Sequence, residues 1–246
     1  MIKLKRFAAK THQGPFLNIN EDNVDVDLSN KLFQVIDGFG GINAGDTASH
    51  YIKDQLKNLY TKISDDPDST LPFFYSSKYL VEGNALINAI HNAHKNLMNE
   101  NKDKDFSKRG GVSAVFGALS ENILTLASIG NCLSFLIRRG EVTKVTKPQN
   151  FEQLSKDNYK NYQLTLPTNG LGLFDDILID IQELRLREND YVLLLSDGAC
   201  NRIKMNEING LLNQTYQDLD QFIEDLFFLN NERGNLDNQT ALILHF

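Results

Sequence analysis

The chain has 246 residues, with 25 Lys+Arg against 32 Asp+Glu, so its formal net charge is −7. That acidity argues against broad, sequence-independent nucleic-acid binding, which rests on dense Lys and Arg. A hydrophobic content of 41% with 23% charged residues argues against general disorder. Two cysteines, Cys132 and Cys200, cannot build a disulfide framework or a four-sulfur zinc site, and read as small buried or half-buried thiols.

Charges interrupt the apolar pairs of Met1–Phe7, so no signal-peptide core is legible. The longest apolar runs, such as Val192–Leu195, are strand-sized and too short to cross a bilayer. The expectation is a soluble, cytoplasmic protein, unless it is exported without an N-terminal signal.

Aliphatic and β-branched runs between turn signals predict strands at Ile2–Thr11, Leu32–Ile36, Val112–Leu119, Ile123–Ile129, Leu133–Arg138, Glu141–Val145, Tyr191–Ser196 and Thr240–Phe246. Amphipathic spacing predicts helices over Ala44–Tyr60, Leu80–Asn99, Lys204–Leu212 and Leu219–Leu229. Asp65–Ser69 reads as a solvated loop between helices. Pro148–Pro167 is polar with little periodicity and reads as a mobile excursion. Helices do not alternate regularly with strands, so antiparallel sheets covered by helix pairs fit better than a doubly wound parallel sheet.

Four short motifs place acids where strands end or begin: Asn20-Glu21-Asp22, Asp37-Gly38-Phe39-Gly40-Gly41, Ser196-Asp197-Gly198 and Leu236-Asp237-Asn238. One Asp-Gly alone is usually a turn. Four such motifs, two of them directly after apolar strands, point to carboxylates projecting from a rigid platform into a shared cleft. With no thiolates and few histidines, such a set suits a hard cation, Mg²⁺ or Mn²⁺, whose shell water completes.

These motifs, in this order, resemble the metal-dependent Ser/Thr protein phosphatases of the protein phosphatase 2C type, bacterial members included. Ala8–Asp22 resembles the family's opening strand and Asn-Glu-Asp box. Leu32–Ser49 resembles the Val-x-Asp-Gly-x-Gly-Gly box and the helix after it. Gly110–Val145 is similar to the family's central strand and meander, in degraded form. Asp190–Ile208 resembles the Ser-Asp-Gly box, and Arg233–Phe246 the Asp-Asn box with the closing strand.

The resemblance implies an α+β fold, a four-layer α-β-β-α sandwich of two antiparallel sheets flanked by helix pairs. It implies one domain over residues 1–246 with a short polar flap-like excursion around 147–172. It also implies hydrolysis of phosphoserine and phosphothreonine esters in proteins by water activated between two Mn²⁺ or Mg²⁺ ions. Asp37 would bridge both cations and the Gly38 carbonyl would bind one. Asp197 and Asp237 would bind the other, with Asp22 and Glu21 acting mainly through water. The carboxylates expected to carry catalysis are Asp22, Asp37, Asp197 and Asp237. A monomer without nucleic-acid or membrane partners is expected.

Departures from the family pattern fall on chemistry more than fold. Leu17 stands where the family has a phosphate-clamping Arg, so the substrate-binding residues stay unknown. Phe39 stands where eukaryotic members often have His and many bacterial members Met, and it cannot transfer a proton. Asn131 and Asn201 replace two acids of a third, weaker metal site, which implies that this site is lost. Pro148–Pro167 lacks the usual start of the flap. The alternative is therefore a catalytically weak or inactive regulatory or binding protein that keeps the fold.

Other patterns do not hold. Asp22–Asp27 alternates acids but lacks the glycine and terminal Glu of a calcium loop. Gly38–Gly41 lacks the glycine spacing of a dinucleotide fingerprint. His91 and His94 read as a solvated pair rather than a zinc site, and Arg138-Arg139 as a solvated basic pair beside a turn, with seating of an acidic substrate as its alternative.

Overall fold

The computed structural model describes residues 2–41, 43–64, 66, 69–157, 160–215 and 218–246. Its order is β1 (Arg6–His12), β2 (Asp22–Asp27), β3 (Leu32–Gly40), α1 (Ala44–Ser64), α2 (Val81–Asn101), β4 (Gly110–Ser120), β5 (Ile123–Ile129), β6 (Leu133–Arg138) and β7 (Glu141–Lys144). Then follow β8 (Asn150–Asp157), β9 (Lys160–Pro167), β10 (Asp180–Arg185), β11 (Tyr191–Leu195), α3 (Asp197–Cys200), α4 (Met205–Thr215), α5 (Leu219–Glu232) and β12 (Gln239–His245).

One antiparallel sheet runs β1-β12-β11-β6-β7 and the other β10-β5-β4-β3-β2. Period-two alternation sorts their side chains into layers. On β3, Leu32 and Ile36 face α1 and α2, while Phe33 and Val35 face the other sheet. On β12, Ala241 and Ile243 face α4 and α5, while Leu242 and Leu244 fill the space between the sheets. The result is the expected α-β-β-α sandwich.

The predicted strands and helices appear with shifted ends, and β1 starts at Arg6 rather than Ile2. Four strands went unpredicted, two of them in the large sheets. β2 (Asp-Asn-Val-Asp-Val-Asp) and β10 (Asp-Ile-Gln-Glu-Leu-Arg) are the polar edges of one sheet, where charge blunts the exposed ladder. Pro148–Pro167 is not irregular throughout. It contains β8 and β9, which pair with each other and with no other strand among the described residues. Asn158 and Tyr159 within it, and Asp65, Pro67 and Asp68 of the predicted Asp65–Ser69 loop, lie outside the described residues.

Two basic features differ from expectation. His94 is buried, and its Nδ1 accepts the Gly172 N–H at 3.1 Å. Arg138 is not simply solvated, because its guanidinium grips the buried Asp190 carboxylate at 2.8 and 2.6 Å. Both satisfy polar groups that burial would otherwise leave unpaired.

Candidate active site

β2 and β3 set Asp22 directly opposite Asp37. Like charges facing across an antiparallel pair destabilise it, so the register itself builds an unfavourable anionic pair. β3 then reaches Gly38, where the chain crosses under the start of α1. A Cβ on Gly38 would lie 2.2 Å from the Gly45 carbonyl oxygen, so no side chain fits there.

Glu21 precedes β2, and its carboxylate accepts the Gly45 and Asp46 N–H groups at the N-terminus of α1. Those bonds favour the charged form, but desolvation outweighs them and its pKa is raised.

The other two acids come from the opposite sheet. Asp197 opens α3 directly after β11, and Asp237 precedes β12. Their segments touch, since a Cβ on Gly198 would lie 1.9 Å from the Asn238 carbonyl oxygen. Asp22 spans the gap between the sheets by accepting the Ser196 and Thr240 hydroxyls. Ser196 Oγ in turn accepts the Thr240 N–H at 2.9 Å.

Asn238 fastens the loop before β2. Its side-chain amide donates to the Gln13 and Ile19 carbonyls at 2.7 and 3.0 Å, and its Oδ1 accepts the Glu21 N–H at 2.9 Å.

The electrostatics follow from this crowding. Burial pushes the Asp22 carboxyl up to about 8, against its two hydroxyl bonds and with help from Asp237 and Asp197. Asp37 rises well above the carboxylate range, first by desolvation and then by Asp197, Asp22, Asp237 and Glu21. Asp237 rises to about 6 through desolvation and the charge of Asp197. Desolvation and the same acids also raise the buried Cys132 thiol, so it is an unreactive neighbour.

Among the described residues, no three His, Cys, Asp or Glu side chains close round one point as in a cage site. The donor set nonetheless fits a hard cation. It offers carboxylates and a backbone carbonyl at a bare glycine, and Asp22 Oδ2 is buried without a partner. An open set of this kind suits an ion that keeps several of its own waters.

The structure thus brings Glu21, Asp22, Asp37, Gly38, Asp197 and Asp237 into one neighbourhood. Leu17 lies in the loop before Glu21, 40% exposed, with its carbonyl accepting the Gln13 side-chain amide. Phe39 packs its ring over Gly111 and Gly170. Asn131 donates its amide to Asp197 Oδ2 at 3.4 Å, and the Asn201 N–H donates to the Asp197 carbonyl at 2.8 Å. Sequence reasoning passed over Ser196 and Asn238, although each sits inside a motif it had marked. It had no signal for Thr240, whose role depends on the two sheets meeting.

No protein-family model matches the sequence. A Streptococcus pyogenes protein named as 2C-type protein phosphatase is 25% identical over 257 residues, covering 98% of this chain and 97% of that one. The protein phosphatase PhpP of Streptococcus pneumoniae is 26% identical over 217 residues, covering 85% of this chain and 82% of its own. This chain is similar to bacterial proteins named as 2C-type protein phosphatases.

The fold is similar to that of solved phosphatases. A serine/threonine phosphatase of S. agalactiae superposes with a TM-score of 0.78 at 23% identity, over 97% of this chain and 98% of that one. The catalytic domain of the phosphatase PstP, solved with two manganese ions, superposes with a TM-score of 0.74 at 22% identity, over 98% and 97%. Among the described residues, no helix is long and apolar enough to cross a membrane.

Proposed function

We propose that the chain is a metal-dependent phosphatase for phosphoserine and phosphothreonine in proteins. The observation that carries this reading is the facing pair Asp22 and Asp37, coupled in charge to Asp197 and Asp237 across the gap between the sheets. Four crowded acids repel one another, and a divalent cation removes that cost. The similarity to proteins named as phosphatases supports the choice of reaction.

In this reading Asp37, the Gly38 carbonyl, Asp197 and Asp237 would hold two Mg²⁺ or Mn²⁺ ions. Asp22 and Glu21 hold shell water. The bound cations supply positive charge for the phosphoryl oxygens and an acidified water. Ser196 and Thr240 orient Asp22, and Asn238 holds Glu21 in register with Asp237. Asn131 and Asn201 leave two ions rather than three, since neutral amides replace two negative charges and one amide already donates to Asp197. Residues 1–246 act as one domain, with the β8–β9 hairpin as its flap.

The second reading, a weak or inactive regulatory protein, has one observation in its favour: Leu17 offers no cation to the phosphate. Hydrolysis of a phosphothreonine peptide with Mn²⁺ and with EDTA decides between them. Turnover that needs Mn²⁺ is expected. Its absence at millimolar Mn²⁺ would leave the regulatory reading.

A further inference from the structure

We propose that a pocket beside Asp197 is an anion subsite that seats an acidic side chain flanking the phosphorylated residue of a protein substrate. It rests on the phosphatase reading above and adds a substrate preference to it. The pocket encloses about 300 Å³ between β6, β7 and the α3–α4 segment. That is room for a side chain, at the small end of ligand sites.

Its position follows from strand register. Leu133 pairs with Leu195, so the start of β6 lies at the strand end from which Asp197 follows. Lys144 pairs with Phe135 and therefore stands at the same end. Lys204 lines the pocket from the entry to α4. The Cys200 thiol feels both the negative charge of Asp197 and the positive charge of Lys144, which ties the lysine to the carboxylate cluster.

The chemistry of the lining is one-sided. It has Lys144 and Lys204 and no Asp or Glu, in a chain whose net charge is −7. Among the described residues neither ammonium has an ion-pair partner within 4 Å, by contrast with Lys10 or Lys57. Glu207, the carboxylate that senses Lys204, is gripped by Arg233 at 2.7 and 2.8 Å. Phe135 and Ile203 supply apolar surface for methylene groups.

Asn131 adds a neutral wall to the pocket: its amide turns toward Asp197, and its Oδ1 is buried.

The test compares phosphothreonine peptides that differ only in Glu or Gln beside the phosphorylated residue. p-Nitrophenyl phosphate, which has no flanking residue, is the control. Wild type is expected to favour the Glu peptide about 5- to 10-fold in kcat/KM, the range two partly exposed charge pairs provide. The preference should fade at high salt. The double change Lys144→Gln with Lys204→Gln should erase it and leave p-nitrophenyl phosphate turnover unchanged.

Equal rates on both peptides in wild type, or a preference that survives the double change, would overturn the subsite. Should no phosphoester turn over, the phosphatase reading fails and the subsite is judged separately. Fluorescence anisotropy of the labelled Glu peptide then decides: binding weakened by the double change supports it, and unchanged binding overturns it.

Discussion

The cleft of Asp22, Asp37, Asp197 and Asp237 and the pocket of Lys144 and Lys204 share a wall, because Asn131 reaches Asp197 from between them. They present opposite charge. In the cleft, strand register forces carboxylates together, and their protonation equilibria shift upward in response. In the pocket, the lining holds the amides of Asn131 and Asn201 and two lysines, with no Asp or Glu. The comparison teaches that this backbone does not dictate the sign of the field at its strand ends. Single side chains do: carboxylates crowd one side of Asn131 and lysines line the other.

The largest expected effect comes from removing the shared acid of the cleft. Asp37→Asn should weaken Mn²⁺ binding and lower turnover by about 10²- to 10³-fold, the scale of losing one preorganised electrostatic contact. Calorimetric titration of Mn²⁺ into wild type and variant checks the first part. Equal affinities would show that Asp37 is not the shared ligand.

A smaller gain should follow from adding a cation on the cleft side. Leu17→Arg places a guanidinium in the loop that Asn238 fastens beside Asp237. A charge-assisted hydrogen bond contributes about 1.5–3 kcal/mol, so turnover of small phosphoesters should rise roughly 10- to 100-fold, each 1.4 kcal/mol being tenfold. No gain would mean that phosphate is held from another side.

Making the pocket resemble the cleft should change less. Asn131→Asp with Asn201→Asp adds two charges beside Asp197 and should raise the count of bound Mn²⁺ from two to three, with a few-fold rise in turnover on the order of one hydrogen bond's worth. Anomalous diffraction counts the ions. Three ions already present in wild type would contradict the loss of the third site.

The smallest effect is on stability. The folded-state pKa of Asp22, about 8, lies above its ordinary value of 3.8. Between those limits the folded chain binds more protons than the unfolded one, so metal-free stability falls as pH rises through that window. Mn²⁺ should flatten the slope. A metal-free Tm that climbs from pH 5 to pH 8 would contradict the crowding inferred for the cleft.

Much of this was legible in the chain. The apolar runs of β4, β5, β6, β11 and β12 mark themselves because both faces of each strand are buried, and α1, α2 and α5 show their buried stripes. β2 and β10 did not, because edge strands carry charge and their apolar count is low. The hairpin of β8 and β9 escaped for a similar reason, since it pairs outside both large sheets. His94 and Arg138 were misjudged because burial of a polar side chain depends on partners distant in sequence, Gly172 and Asp190.

By itself the sequence marked most of the strands and helices, through the period of its apolar residues, and the acids, through short motifs at strand ends. Both are local properties, legible within a few residues of chain. Tertiary structure alone decided that Asp22 faces Asp37, that Ser196 and Thr240 hold Asp22 across the sheets, and that Lys144 and Lys204 meet beside Asp197. Those depend on register and on the stacking of two sheets, which bring together residues from about 15 to about 220 positions apart.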